Sequence, residues 1–164
     1  MIKNIKNAAL LLLSAVIIFS LDSCDKAKQM EKEEKEKIQA YLSDNPDLNF
    51  TRTASGLYYL ELLAGTGIMP ADGDSAFVMY TGKFLDGSIF DSNATSTTPY
   101  GFVVGFNIPG FDEGISMMKE GGKSTLLIPS ELGYGTIGSY PYISGYTPLL
   151  FDVELVRVKA APAK

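Results

Sequence analysis

The 164-residue chain has no histidine and no tryptophan, and its only cysteine is Cys24. Without histidine there is no imidazole acid–base catalysis. With one cysteine as well, the usual zinc sites are excluded, because they draw on several Cys or His ligands. A lone cysteine also rules out a disulfide framework within the chain. Basic clusters are missing from the globular part and the net charge is −5, so binding to a phosphate backbone, and hence to nucleic acid, is disfavoured. No apolar run reaches the ~20 residues of a comfortable membrane span, and no internal repeat is visible.

The N-terminal segment stands apart in composition. Lys3 and Lys6 precede an apolar run from Ala8 to Phe19, broken only by Ser14. That pattern fits a signal peptide over residues 1–23. Its end, Leu21-Asp22-Ser23-Cys24, resembles the lipobox of bacterial lipoproteins, although Asp22 stands where a small or apolar residue is usual. The resemblance implies lipid attachment at Cys24, membrane tethering through that lipid, and residence in a bacterial cell envelope, on a periplasmic face or the outer membrane. An ordinary signal peptide beside a free thiol is the alternative. Losing residues 1–23 removes two lysines and one aspartate, which takes the net charge from −5 to −6.

Residues 24–50 read as a charged helical tether. Glu31/Lys35 and Glu33/Lys37 are Glu-before-Lys pairs at i,i+4, the better orientation for helix support. Ile38, Tyr41 and Leu42 give the segment an apolar end, and Asn45-Pro46 should stop it. It is either a solvated spacer or a partner-binding helix.

From about Thr51 short apolar runs are cut by glycines. Strands are expected at residues 57–63, 76–85, 100–104, 123–128 and 149–158. In the last of these Phe151, Val153 and Leu155 alternate with Asp152, Glu154 and Val156. One short helix is expected over residues 110–119, with Ile115 and Met118 on its apolar side. Many antiparallel strands and one helix give an α+β domain with the helix on one sheet face. Two long connections, residues 91–99 and 133–147, are of a length usually associated with function. Tyr134, Tyr140, Tyr142 and Tyr146 lie in the second, and tyrosine combines an apolar body with a polar tip suited to peptide contact. Asn93-Ala94-Thr95 has the form of a glycosylation sequon, discounted here because the lipobox points to a bacterial host.

Three ordered motifs carry a family resemblance. Phe77–Ser92, FVMYTGKFLDGSIFDS, resembles the signature of the FKBP (macrolide-binding) peptidyl-prolyl cis/trans isomerases. Gly110–Gly135 is similar to that family's helix, Gly-Gly turn and following strand, and Leu149–Val158 to its closing strand. The resemblance covers residues 51–159 and leaves 160–164 as a flexible tail. It implies an antiparallel half-barrel of five to six strands wrapped around one short helix, with the substrate pocket between them. It also implies catalytic roles for Tyr80, Phe90, Asp91, Tyr134 and Phe151. Tyr100, Phe102, Ile108, Phe111 and Ile143 are implied to bind substrate, with the Ile108 N–H on the ligand carbonyl and Ile143 at a loop tip. Asp91, expected to be buried beside Phe90, would pair with the Tyr80 hydroxyl, either facing the substrate carbonyl or simply holding the loop.

Some positions depart from the family. Phe111 replaces a common Trp, the Gly105–Gly110 loop is short, and Asn107 stands where an apolar residue is usual. The residues before the last strand, 144–148, differ as well.

Such a pocket implies isomerisation of X–Pro bonds without cofactor, metal or nucleophile. The partners would be proline-containing unfolded or exported polypeptides, and macrolide ligands would fit the same pocket. Oligomeric state is left open. Two alternatives remain beside the enzyme: an envelope chaperone or assembly factor using the same pocket and loops, and a scaffold docked through its tether.

Overall fold

The computed structural model describes residues 25–162. The expected signal peptide and Cys24 lie outside the described residues. The chain divides into two compact units, Met1–Glu36 and Lys37–Lys164. Residues 25–44 are helical (α1). In the first unit the ion pair that forms is Lys32–Glu36, at 3.6 Å, rather than either pair expected from the spacing. All these side chains are solvent-exposed, where such pairs contribute little and exchange readily.

The second unit begins earlier than the boundary at residue 51 expected from the sequence, and the reason is packing. Ile38 is buried with Leu127 and Leu150, and Tyr41, Leu42, Phe50, Tyr58 and Leu85 pack against them. The end of α1 thus covers the outer face of the sheet. The helix stops where Asn45-Pro46 said it should: the Asn45 backbone N–H and its Nδ2 both donate to the Tyr41 carbonyl, at 3.1 and 2.8 Å.

The strands are β1 (Thr51–Arg52), β2 (Tyr58–Leu63), β3 (Ser75–Lys83), β4 (Ile89–Ser92), β5 (Tyr100–Val103), β6 (Lys123–Ile128), β7 (Gly138–Ser139), β8 (Ile143–Ser144) and β9 (Leu149–Lys159). Seven of them form one antiparallel sheet in the order β1-β2-β6-β9-β3-β4, with β5 also paired to β3. β5 pairs with residues 75–78 of β3 and β4 with residues 81–83. The two are halves of one interrupted strand, so the sheet is the expected five to six strands with one edge broken. β7 and β8 form a small separate hairpin.

The break is filled by a side chain. Asn93 Oδ1 accepts the Tyr80 N–H at 2.6 Å, and its Nδ2 donates to the Val78 carbonyl at 3.0 Å. Asn93 therefore stands in for the missing backbone ladder, and its amide is committed to the sheet.

The inner face carries the core. Phe151, Val153 and Leu155 of β9 are buried, as are Val78, Leu126 and Ile128. The alternation along β9 holds to Leu155. There a bulge at Val156 shifts the register, with Phe77 opposite Arg157 and Val78 opposite Leu155. One extra residue turns later side chains to the other face, so Arg157 is exposed and Val158 is buried.

α2 (Pro109–Ser116) crosses this face. It begins on proline, which suits the first helical position. It is shorter than the expected 110–119: its last turn tightens at Met117, although Met118 stays buried. A Cβ on Gly114 would lie 2.5 Å from Leu126 Cδ1, so only glycine lets α2 approach β6 this closely.

Candidate active site

Between α2 and the concave face lies a cavity of about 150 Å³ lined by Tyr80, Phe90, Asp91, Tyr100, Asn107, Ile108, Phe111, Tyr134 and Phe151. Its floor is Phe111, buried at the start of α2. The Phe111 ring meets Phe151 at 5.1 Å, Phe102 at 5.6 Å and Tyr80 at 6.3 Å between centroids. Phe90 sits edge-on to Phe151 at 5.6 Å and against Phe84 at 5.2 Å. The rings meet in the edge-to-face and tilted geometries that aromatic quadrupoles favour.

Backbone irregularity aims two of these rings. Gly82 pairs with Asp91 and Lys83 with Ile89, which leaves Phe90 as the extra residue of a bulge. A Cβ on Gly82 would lie 2.6 Å from Phe90 Cζ and 3.1 Å from Phe151 Cε1. The glycine of the Tyr-Thr-Gly motif is thus the space in which the pocket wall packs.

The polar groups gather at the mouth. The Tyr80 hydroxyl donates to Asp91 Oδ2 at 2.6 Å. Asp91 is exposed rather than buried, because β4 is an edge strand and its carboxylate projects to the cavity entrance. Burial and the bonded Asp91 carboxylate push the Tyr80 phenol well above its ordinary value. Burial, then the charges of Asp91 and Tyr100, raise Tyr134 in the same direction. Both phenols therefore remain hydroxyl donors at any physiological pH. On the opposite side Asp112, in the first turn of α2, accepts the Asn107 N–H at 2.8 Å and its Nδ2 at 3.2 Å. This bidentate hold fixes the loop that presents Ile108. Among the described residues no acceptor takes the Ile108 N–H.

Eight of the ten residues singled out from the sequence line this cavity. Phe102 stands one layer back, stacked on Tyr100 at 5.6 Å and touching Phe111. Ile143 is not at a loop tip. It lies in β8 and is buried in the core, because pairing with β7 turns it inward. The exposed tips of that loop are Ile137, Tyr140 and Tyr142. Asn107, noted in the sequence only as a polar residue at a usually apolar position, lines the cavity, a role that no periodic pattern announces. Phe84 likewise extends the aromatic cluster unannounced.

A model of FKBP-type peptidyl-prolyl cis-trans isomerases matches residues 67–156. The probable FKBP-type peptidyl-prolyl cis-trans isomerase FkpA of Neisseria meningitidis serogroup B is 40% identical over 144 residues, which cover 85% of this chain and 53% of that protein. FkpA of Escherichia coli K12 is 44% identical over 110 residues, 67% of this chain and 40% of that protein. The chain thus spans about half or less of the length of these relatives. The crystal structure of Escherichia coli FkpA superposes with a TM-score of 0.73 at 38% identity, covering 82% of this chain and 64% of that one. A peptidyl-prolyl cis-trans isomerase from Pseudomonas syringae pv. tomato superposes at 0.71 with 32% identity, covering 81% of this chain and 96% of that one. By its motifs, its topology and these matches, the chain belongs to the FKBP-type peptidyl-prolyl cis-trans isomerase family.

Proposed function

We propose that the protein accelerates cis/trans rotation about X–Pro bonds of exported polypeptides, with the proline ring seated on Phe111. The observation that carries this reading is a cavity with an aromatic floor and hydroxyl donors at its mouth. A cavity of about this volume has room for a ring the size of benzene.

The uncatalysed rotation takes tens to hundreds of seconds, because amide resonance sets a barrier of ~18–20 kcal/mol. In the twisted transition state that resonance is lost and the carbonyl is less polar. Transfer from water to an aromatic pocket therefore disfavours the planar amide more than the twisted one. Reaching about a millisecond takes ~10⁴–10⁵-fold, roughly 6–7 kcal/mol. Water exclusion by the rings, shape fit to the twisted prolyl group, and hydrogen bonds from the Ile108 N–H and the Tyr134 hydroxyl would supply it together. Asp91 would hold Tyr80 in place at the substrate carbonyl. No covalent or proton-transfer step is needed.

A protease-free exchange assay on a Leu-Pro peptide tests this reading, with an acceleration of several orders of magnitude expected. An apolar residue before proline should be favoured, since it would lie against the aromatic rim. A macrolide ligand would compete for the same cavity and abolish the acceleration.

A second reading, an envelope chaperone or assembly factor, is favoured by a separate observation. Phe106, Ile137, Tyr140 and Tyr142 are 80–96% exposed, on the loops that carry Asn107 and Tyr134. Wild-type protein that leaves the peptide rate unchanged yet suppresses client aggregation would establish this reading and end the first.

The location proposed is the cell envelope, through lipid on Cys24. The mature protein should partition into detergent and label with a fatty-acid analogue, and Cys24→Ala should abolish both. Equal labelling and membrane retention in the variant would exclude the anchor.

A further inference from the structure

Two long stretches that supply nearly all of the pocket lining carry no positive charge. Residues 84–118 contain Asp86, Asp91, Asp112 and Glu113 but no lysine or arginine. Residues 124–156 contain Glu131, Asp152 and Glu154, again without a cation. Every lining residue except Tyr80 comes from these two stretches. Of the cations that flank them, Lys83 pairs with Asp152, Lys123 with Glu154 at 2.8 Å, and Arg157 lies over the Phe77 ring at 4.0 Å, while Lys119 is absent from the pocket lining. Asp152 and Glu154 alternate with the inward Phe151, Val153 and Leu155, so both pairs sit on the outer face of the sheet.

Of the acidic groups, Asp112 is enclosed and held by Asn107, and Glu113 accepts the Ser55 hydroxyl at 2.6 Å. Asp91 is the one charged side chain in the cavity lining. It is exposed, only the Tyr80 hydroxyl is bonded to it, and no lysine or arginine among the described residues pairs with it. Its field already reaches the neighbouring phenols, adding to the burial that raises Tyr80 and Tyr134.

We infer that the site selects X–Pro segments with a lysine or arginine immediately after the proline, the position before it being taken by the apolar residue on the rim, so that the cation meets Asp91 among the rings of Tyr80, Tyr100 and Tyr134. This rests on the pocket's being the isomerase site. Lysine suits the mouth twice over. Its aliphatic stem can lie on the aromatic rim while the ammonium reaches the carboxylate, and a cation over a tyrosine face is attracted by the ring quadrupole. An acidic residue at the same place faces Asp91 with no counter-charge. The preferred clients are therefore basic stretches of unfolded chain, drawn in by a field that salt screens.

The test uses the full chain and blocked peptides with Lys, norleucine or Glu immediately before proline, and a second set with the same residues immediately after it. Isomerisation is followed by exchange spectroscopy and binding by calorimetry. In the second set, kcat/KM for Lys should exceed that for Glu by about tenfold at low ionic strength, equivalent to about 1.4 kcal/mol. Norleucine should fall between them. The ratio should shrink towards one at about 1 M salt, where the Debye length is about 3 Å. Asp91→Asn, whatever its residual rate, should lose the Lys/Glu ratio. Equal turnover of Lys and Glu peptides in the second set overturns the inference while leaving the isomerase intact, and so does a ratio that survives in Asp91→Asn. If no peptide is accelerated, the isomerase reading fails by itself. The Kd values then decide: tighter Lys peptides sustain the selectivity and equal ones remove it.

Discussion

Gly82 shows how little freedom the pocket wall has. An added methyl at this position would overlap Phe90 and press on Phe151, and overpacking of this kind costs ~1–3 kcal/mol. Gly82→Ala should therefore stay folded with a lowered Tm, while displaced rings reduce kcat/KM at least tenfold; an unchanged rate would show that the rings do not have to sit where they do. Phe151→Ala removes a ring from the same wall. It should cost ~3–5 kcal/mol in stability and most of the activity. Asp91→Val separates the two effects. Because Asp91 is exposed, circular dichroism and thermal melting should change little, yet Tyr80 loses its acceptor and activity should fall sharply. Most of these residues were legible because they recur in ordered motifs. The roles of Asn107 and Asn93 were not, since a side-chain amide filling a gap in a ladder or bracing a loop leaves no trace in spacing. Ile143 was misplaced for a related reason: an apolar residue in a long Gly/Tyr loop looks exposed until a two-residue strand pairing turns it inward.

At the level of elements, periodicity succeeded where strands are long. The expected 123–128 and 149–158 strands coincide with β6 and nearly with β9, because several alternating residues define a face. β1, β7 and β8 have only two residues each, too few for any period, and β4 lay concealed in the turn-rich signature. The end of α1 offers the clearest test of an element's role. Ile38 is buried against Leu127 and Leu150 on the face opposite the pocket. Ile38→Ala should lower stability by about 2–5 kcal/mol, the range for truncating a buried isoleucine. The pocket's peptide selectivity should be untouched. A loss of activity without a loss of stability would instead tie α1 to the site.

Across the whole molecule the missing histidine sets the pH behaviour. No unperturbed side chain present titrates between pH 6 and 8, so activity should be nearly flat there, and a bell-shaped profile centred near neutrality would contradict a desolvation mechanism. The alkaline limb follows from the tyrosines. Burial is the leading cause raising Tyr41, Tyr59, Tyr80 and Tyr134 in the folded chain. The unfolded chain then releases these protons first, near pH 10. Stability is fully present below that value and declines as pH rises towards the folded values. Thermal melts at pH 7, 9, 10 and 11 should show a Tm that begins to fall only near pH 10. Asp74 and Asp86 act in the opposite sense. Their carboxylates are held low by backbone bonds from Ala71 and Ala161, and by the Ser88 hydroxyl and N–H. That contribution is present above about pH 4 and is lost as pH falls through the folded values.

The interrupted edge strand has a further consequence. On the proposed function the protein would be surrounded by unfolded segments ready to add to any open sheet, and a long flat edge would template their aggregation. Here one edge is the two-residue β1, and the other is split between β4 and β5 with the Asn93 amide bonded across the gap. The β4/β5 edge therefore offers no continuous row of unpaired backbone groups. On the proposed function, client chains would reach the concave pocket without being recruited as extra strands along that edge. Seeding of a β-rich client's fibrils by this protein would contradict that protection.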